Sequence, residues 1–180
     1  MNDAWVYHCF HCQTSGNVQF QTQQRPEPKL SAVPNIIQND LQEAHLDFLK
    51  TRGISAATAQ RMNVFAAEKW FMKLGRAAPA IGFPYYRKGA LIAAKYWSIE
   101  EKDFTQDVGG AHDFFGIDLV DPSKPIIIVE GEIDALTGME CGLQNVVSVP
   151  SGAPLKVADG KVLASEDKKF SLVWNAFELL

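Results

Sequence analysis

The spacing of apolar residues divides the chain into segments of different period. Between 39 and 50 the apolar positions Leu41, Ala44, Phe48 and Leu49 recur at helical intervals, with Asn39 or Asp40 as the expected N-cap and Gly53 as the stop. A second short helix is predicted from Ser55 to about Met62. The period then changes to alternation, predicting strands at 63–67, 80–86 and 91–98, the last two joined by the turn-forming Arg87-Lys88-Gly89. Residues 100–110 mix charges, end in Gly109-Gly110 and read as a loop. The aromatics in His112-Asp113-Phe114-Phe115-Gly116 are expected to plug the interface between these strands and the domain beyond them.

Beyond the stiff turn Asp121-Pro122-Ser123-Lys124-Pro125, the run Ile126-Ile127-Ile128-Val129 predicts a buried strand. Next come a helix from 132 to 141 with Ile133, Leu136 and Met139 inward, Gly142 as its stop, and a strand at 145–149. Two strands around a helix make a parallel βαβ unit with a right-handed crossover. From 168 to 180, Phe170, Val173, Trp174, Phe177 and Leu180 lie at helical spacing. Near the N-terminus, 5–20 reads as a hairpin with Cys9-Phe10-His11-Cys12 at its turn, and 21–34 has the proline-rich composition of a linker.

The fold class is therefore α/β, an α+β N-terminal part followed by a parallel βαβ part whose sheet is incomplete. The expected domains are 1–20, 21–38, 39–121 and 122–180.

With 47% apolar and 21% charged residues among 180, the composition is that of a globular protein, and no apolar run approaches the roughly 18 residues of a spanning helix. No signal peptide is visible, and a cytoplasmic location is expected. The net charge of −4 argues against a nucleic-acid protein, but its distribution argues the other way. Residues 50–102 hold ten Lys or Arg against three Glu. That segment reads either as a phosphate-facing surface or as a lysine-decorated solvated face. Within it, Lys95 and Trp97 share one strand face opposite Ala94 and Tyr96. A cation and a ring on one exposed face suit a phosphate and a base, while a lone edge-strand lysine also guards against aggregation.

Glu130 ends a strand, and the adjacent Gly131 lets a ligand approach the backbone, which suggests a metal ligand or general base. Glu132 and Asp134 fall in the first helical turn, where the helix dipole alone accounts for carboxylates. Cys9 and Cys12 make one pair of zinc-type ligands, and a structural site needs four ligands.

Val129-Glu130-Gly131-Glu132-x-Asp134-Ala135-Leu136, followed by Val147-Ser148-Val149-Pro150-Ser151-Gly152-Ala153, resembles the first half of a Toprim domain of the primase kind. The order of knuckle, proline-rich linker, helical hairpin, basic strands and Toprim resembles the primase half of phage primase-helicases and their mitochondrial relative Twinkle. The resemblance implies synthesis of RNA primers on single-stranded DNA from ribonucleoside triphosphates, with magnesium or manganese, and a helicase domain or ring in the full-length protein. Glu130 would be the Toprim glutamate, catalytic and on magnesium. Lys95 and Lys102 would line the nucleotide site. From the residues themselves, Trp97, Arg87 and Lys88 are further candidate nucleic-acid contacts. Cys9 and Cys12 would be the second pair of a four-cysteine zinc ribbon. The location implied is a bacterial or phage-infected cell.

The chain departs from that pattern in having no Asp-x-Asp, the motif that completes the magnesium site, and Asp159, Glu166 and Asp167 read as surface residues. No P-loop is present. This piece is therefore expected to be catalytically incompetent. Two alternatives stand: a non-catalytic module that holds single-stranded DNA or organises a helicase ring, and a Toprim nuclease or topoisomerase fragment.

Overall fold

A computed structural model describes residues 4–8, 15–19, 35–110, 112–152, 172, 173 and 176. The first pair of strands, β1 (Ala4–His8) and β2 (Ser15–Gln19), forms an antiparallel hairpin. Cys9 and Cys12 lie outside the described residues, as do the linker at 21–34, Asp159, Glu166, Asp167 and most of the helix expected at 168–180.

Helix α1 (Glu43–Thr51) starts later than its sequence suggests. Its N-cap is Gln42, because Asn39 is already engaged in a two-way backbone bridge with Ala66. Nine residues are too few for a stable helix in isolation, so α1 depends on burying Leu49 and packing Phe48 against the sheet. Helix α2 (Ala56–Arg61) begins one residue after Ser55, which caps it, its hydroxyl accepting the Thr58 N–H. Ser55 in turn donates its own N–H and hydroxyl to Glu140, at 3.0 and 2.9 Å, which pins α2 to the helix of the βαβ unit.

The main sheet is antiparallel, in the order β3 (Phe65–Phe71), β4 (Arg76–Arg87), β5 (Ala90–Ser98), β6 (Phe104–Gln106). Strands β3 and β4 run further than alternation alone predicts, to a tight turn after Phe71. Strand β6 corrects the expectation of a loop over 100–110: three residues pair with β5 at Lys95–Gln106, Tyr96–Thr105 and Trp97–Phe104. Both faces of the sheet are covered. Ile81, Phe83, Tyr85, Ala93 and Trp97 pack with α1 and α2, while Phe65, Phe71, Ala80, Ala94 and Tyr96 form a second cluster. At the cross-strand pair Phe65–Gly82, a Cβ on Gly82 would lie 2.3 Å from the Phe65 ring, so the absence of a side chain is what lets that ring lie across β4.

Phe115 carries the chain from the sheet to the βαβ unit. Its ring meets Phe83 and Tyr85 edge-on at 5.9 and 5.8 Å, and its backbone bridges Ser148. Strands β7 (Ile127–Val129) and β8 (Val146–Ser148) are parallel and linked through α3 (Glu132–Glu140), as the sequence implies. Strand β7 is not buried, however. Ile128 is 52% exposed, so the apolar run marks a strand without marking its burial. The first core cluster continues through Phe115 into Ala135, Leu136 and Val146, so one apolar interior serves sheet and βαβ unit together.

Candidate functional site

Lys95 lies near the middle of β5 on the face that meets the βαβ unit. Its ammonium stands 3.0 Å from each carboxylate oxygen of Glu132 and donates to the Pro150 carbonyl at 2.9 Å. Glu132 is the first residue of α3, and its side chain is only 3% exposed. Tyr85, fully buried in β4, donates its hydroxyl to the same carboxylate. The helix dipole favours an acid at this position, but burial of this depth requires the lysine and the phenol as partners. The dipole account from sequence is thus incomplete. Burial first, and then the charge and hydrogen bond of Glu132, hold the Tyr85 phenol well above its ordinary value and therefore protonated.

Glu130 comes directly after β7, and its exposed carboxylate lies against Gly152, where a Cβ would come 3.4 Å from Oε1. Pro150 and Gly152 come just after β8. Lys95 and Glu130 therefore meet opposite ends of one short turn, at the C-terminal ends of two parallel strands. Open α/β sheets bind ligands at that edge. The Asp134 carboxylate leans back over Gly131.

Trp97 does not sit on an open face. It is 8% exposed, packed edge-on against Phe48 at 5.7 Å and tilted against Phe104 at 4.8 Å, with the Arg52 guanidinium 5.0 Å from its ring. The solvent-facing ring is Phe104, a residue that sequence placed in a loop. An aromatic two residues beyond Lys102 was the available signal. Lys102 itself is exposed in the turn between β5 and β6, where its carbonyl accepts from Lys73. Arg87 pairs at 2.5 Å with Asp113, whose side chain is fully buried. Burial pushes the Asp113 carboxyl up, and the Arg87 charge and the Phe114 N–H oppose that shift. Lys88 is exposed in the turn between β4 and β5, its N–H and that of Gly89 held by Asp118. The structure thus gathers Lys95, Glu130 and Glu132, and places Lys102, Arg87 and Lys88 in other settings.

A magnesium site takes one or two carboxylates and leaves the remaining positions to water and phosphate. Of the two glutamates at this edge, Glu132 is committed to Lys95 and Tyr85, and Glu130 is the exposed one. Among the described residues no group of three or more His, Cys, Asp or Glu is arranged to hold a metal ion. No helix among them is long and apolar enough to cross a membrane.

No family model matches the chain. It is 38% identical over 136 residues to the Twinkle homolog protein, chloroplastic/mitochondrial, of Arabidopsis thaliana, covering 74% of this chain and 18% of that protein. It is 36% identical over 135 residues to the Primase homolog protein of Arabidopsis thaliana, covering 74% of this chain and 38% of that one. The chain therefore spans well under half the length of either relative. The primase fragment of the bacteriophage T7 primase-helicase superposes with a TM-score of 0.50 at 24% identity, over 82% of this chain and 60% of that one. The Aquifex aeolicus primase, in its zinc binding and RNA polymerase domains, gives 0.50 at 16% identity over 62% of this chain and 38% of that one. These two give the likeness of fold and the plant proteins the likeness of sequence, and together they support a Twinkle-like primase domain in this chain.

Proposed function

We propose that this chain is the nucleotide-engaging part of a primase-helicase that makes RNA primers on single-stranded DNA. The observation that carries this reading is the placement of Lys95 and Glu130 on one turn, Pro150 to Gly152, at the carboxyl edge of β7 and β8. In the proposed reaction the 3′-hydroxyl of one ribonucleotide gives up its proton, to Glu130 as general base or to water, and its oxygen forms a bond to the α-phosphorus of the next. The bond from that phosphorus to the bridging oxygen breaks, and pyrophosphate leaves with the electron pair. Lys95, fixed by Glu132, would receive phosphate oxygens, and Glu130, at the end of β7 and against Gly152, would stand beside them as the exposed carboxylate of that edge. Magnesium or manganese, when bound by the complete protein, supplies neutralisation of phosphate charge. Single-stranded DNA, ribonucleoside triphosphates and a helicase ring are the partners this reading requires, with zinc on the segment that contains Cys9 and Cys12.

Because the chain has no Asp-x-Asp, residues 1–180 are proposed to bind without catalysing. The same observation favours a second reading, a module that holds single-stranded DNA for a helicase in a protein that does not prime. Incorporation of labelled ribonucleotides on a single-stranded template separates them. The enzyme reading expects product from the full-length protein, loss of product in Glu130→Ala, and none from residues 1–180. No product from the full-length protein, with DNA binding intact, overturns it. Robust Glu130-dependent product from residues 1–180 overturns the proposed incompetence of the piece.

A further inference from the structure

We propose that Phe104 is the base-stacking platform of this site, taking the nucleobase of the ligand whose phosphate Lys95 contacts. The proposal rests on the nucleotide-binding reading above and names the group that holds the other end of the same ligand. Two rings from this stretch compete for that role, and the structure separates them. Trp97 has both faces occupied by protein, whereas Phe104 is 42% exposed on β6, which among the described strands pairs only with β5.

An isolated exposed phenylalanine carries no meaning by itself, since folded surfaces are full of apolar atoms. This one has two further properties. The Lys95 ammonium lies over its ring, 5.3 Å from the centroid, so a π-system and a cation are already in contact on one sheet face. It is also backed: the Trp97 ring lies 4.8 Å behind it at 47°, and the Arg52 guanidinium lies against Trp97 in turn. A ring held in this way presents its exposed part without the entropy loss of ordering a mobile side chain on binding. Bases stack on such rings whatever their sequence, and each stacked base is worth roughly tenfold or more in affinity. Trp70 is more exposed, but its neighbour along the same face of β3 is Glu68, which repels phosphate. Cation and ring are adjacent at Phe104.

The ligand chemistry is a nucleobase joined to phosphate, which an incoming nucleoside triphosphate and a template strand share. The test is titration calorimetry of the full 1–180 chain with three probes: ATP, inorganic tripolyphosphate and a short oligothymidylate. Phe104→Leu keeps apolar volume against Trp97 while removing the π-face, and Phe104→Tyr restores a ring. Phe104→Leu is expected to weaken ATP, oligothymidylate or both by about tenfold, to leave tripolyphosphate unchanged, and to be rescued by Phe104→Tyr. Loss confined to ATP assigns the platform to the incoming nucleotide, and loss confined to the oligonucleotide assigns it to the template. Equal weakening of ATP and tripolyphosphate would mean that the ring merely supports Lys95, and unchanged binding of every probe would leave the ring a protein-docking face. Either result overturns the proposal. Absence of wild-type binding to all three probes overturns the nucleotide-binding reading beneath it.

Discussion

Lys95 and Glu132, 37 residues apart, meet with both carboxylate oxygens 3.0 Å from the ammonium, and the two ends of this ion pair are unequally buried. The lysine side chain keeps 17% of its surface in contact with solvent, while the glutamate keeps 3%. Removing the lysine strands a carboxylate that water cannot reach. Lys95→Met is expected to lower the unfolding free energy by about 3–5 kcal/mol, and Glu132→Gln by less, because the lysine can still reach water. The double variant Lys95→Met/Glu132→Gln is expected to recover more than half of the larger loss, since the amide can accept the Tyr85 hydroxyl without carrying charge. Urea titrations of the four proteins measure the coupling directly. Additive losses would contradict it.

Tyr85 makes this region sensitive to alkali. Its folded pKa is raised above the unfolded value of about 10, by burial first and then by Glu132. The unfolded chain therefore releases the phenolic proton where the folded chain retains it. The contribution is fully present below about pH 10 and is lost as pH rises from there toward the folded value. Tyr85→Phe should flatten that part of the stability profile, which urea midpoints between pH 8 and 11 will read. An equally steep decline in the variant would assign the loss to other groups.

His45 works in the opposite direction. It is 6% exposed in α1, its Nδ1 accepts the Gln42 N–H, and desolvation lowers its pKa below the ordinary 6.5. The unfolded state then takes up a proton first. Stability is complete above about pH 6.5 and is lost as pH falls through the depressed folded value. His45→Gln should remove that slope, as followed by thermal unfolding between pH 5 and 7.

Arg87 and Lys88 adjoin in sequence and should behave unlike one another. Arg87→Ala leaves Asp113 buried without its partner and is expected to cost about 3 kcal/mol of stability. Lys88→Ala, at an exposed turn position, is expected to change stability by less than about 0.5 kcal/mol. A DNA-binding defect in Arg87→Ala must therefore be read alongside its unfolding midpoint.

At Gly82, alanine places a methyl group inside the Phe65 ring, which is 3% exposed and enclosed by the second core cluster. Gly82→Ala is expected to lose about 1–3 kcal/mol. The pair Gly82→Ala/Phe65→Leu should recover part of that loss in denaturant titrations.

What could be read from the sequence was local. Ser55 before a short helical pattern, alternation through β5, Phe114-Phe115 ahead of a glycine and the helix after Gly131 each carry their signal within a few residues, and each lies as expected. Glu132 does not. In sequence it is indistinguishable from any acid complementing a helix dipole, and its partners Tyr85 and Lys95 come from two earlier strands. Strand β6 escaped notice because three residues set among charges leave no period to detect. The exposure of Phe104 and the enclosure of Trp97 depend on where α1 lands, which no window around either residue contains. The apolar run before Glu130 was informative about strand and misleading about burial, because burial is a property of the elements that pack against β7.

The single interior that runs from Leu49 and Tyr85 through Phe115 to Leu136 has a consequence for motion. A lobe with its own core can open by itself, whereas two lobes sharing one core open together. The amides of β4, β5 and α3 should accordingly exchange with solvent through one common opening, with matching dependence on denaturant. Lys95 on β5 and Glu132 on α3 lie on the two sides of that shared interior, so the ion pair ties together the elements expected to open as one.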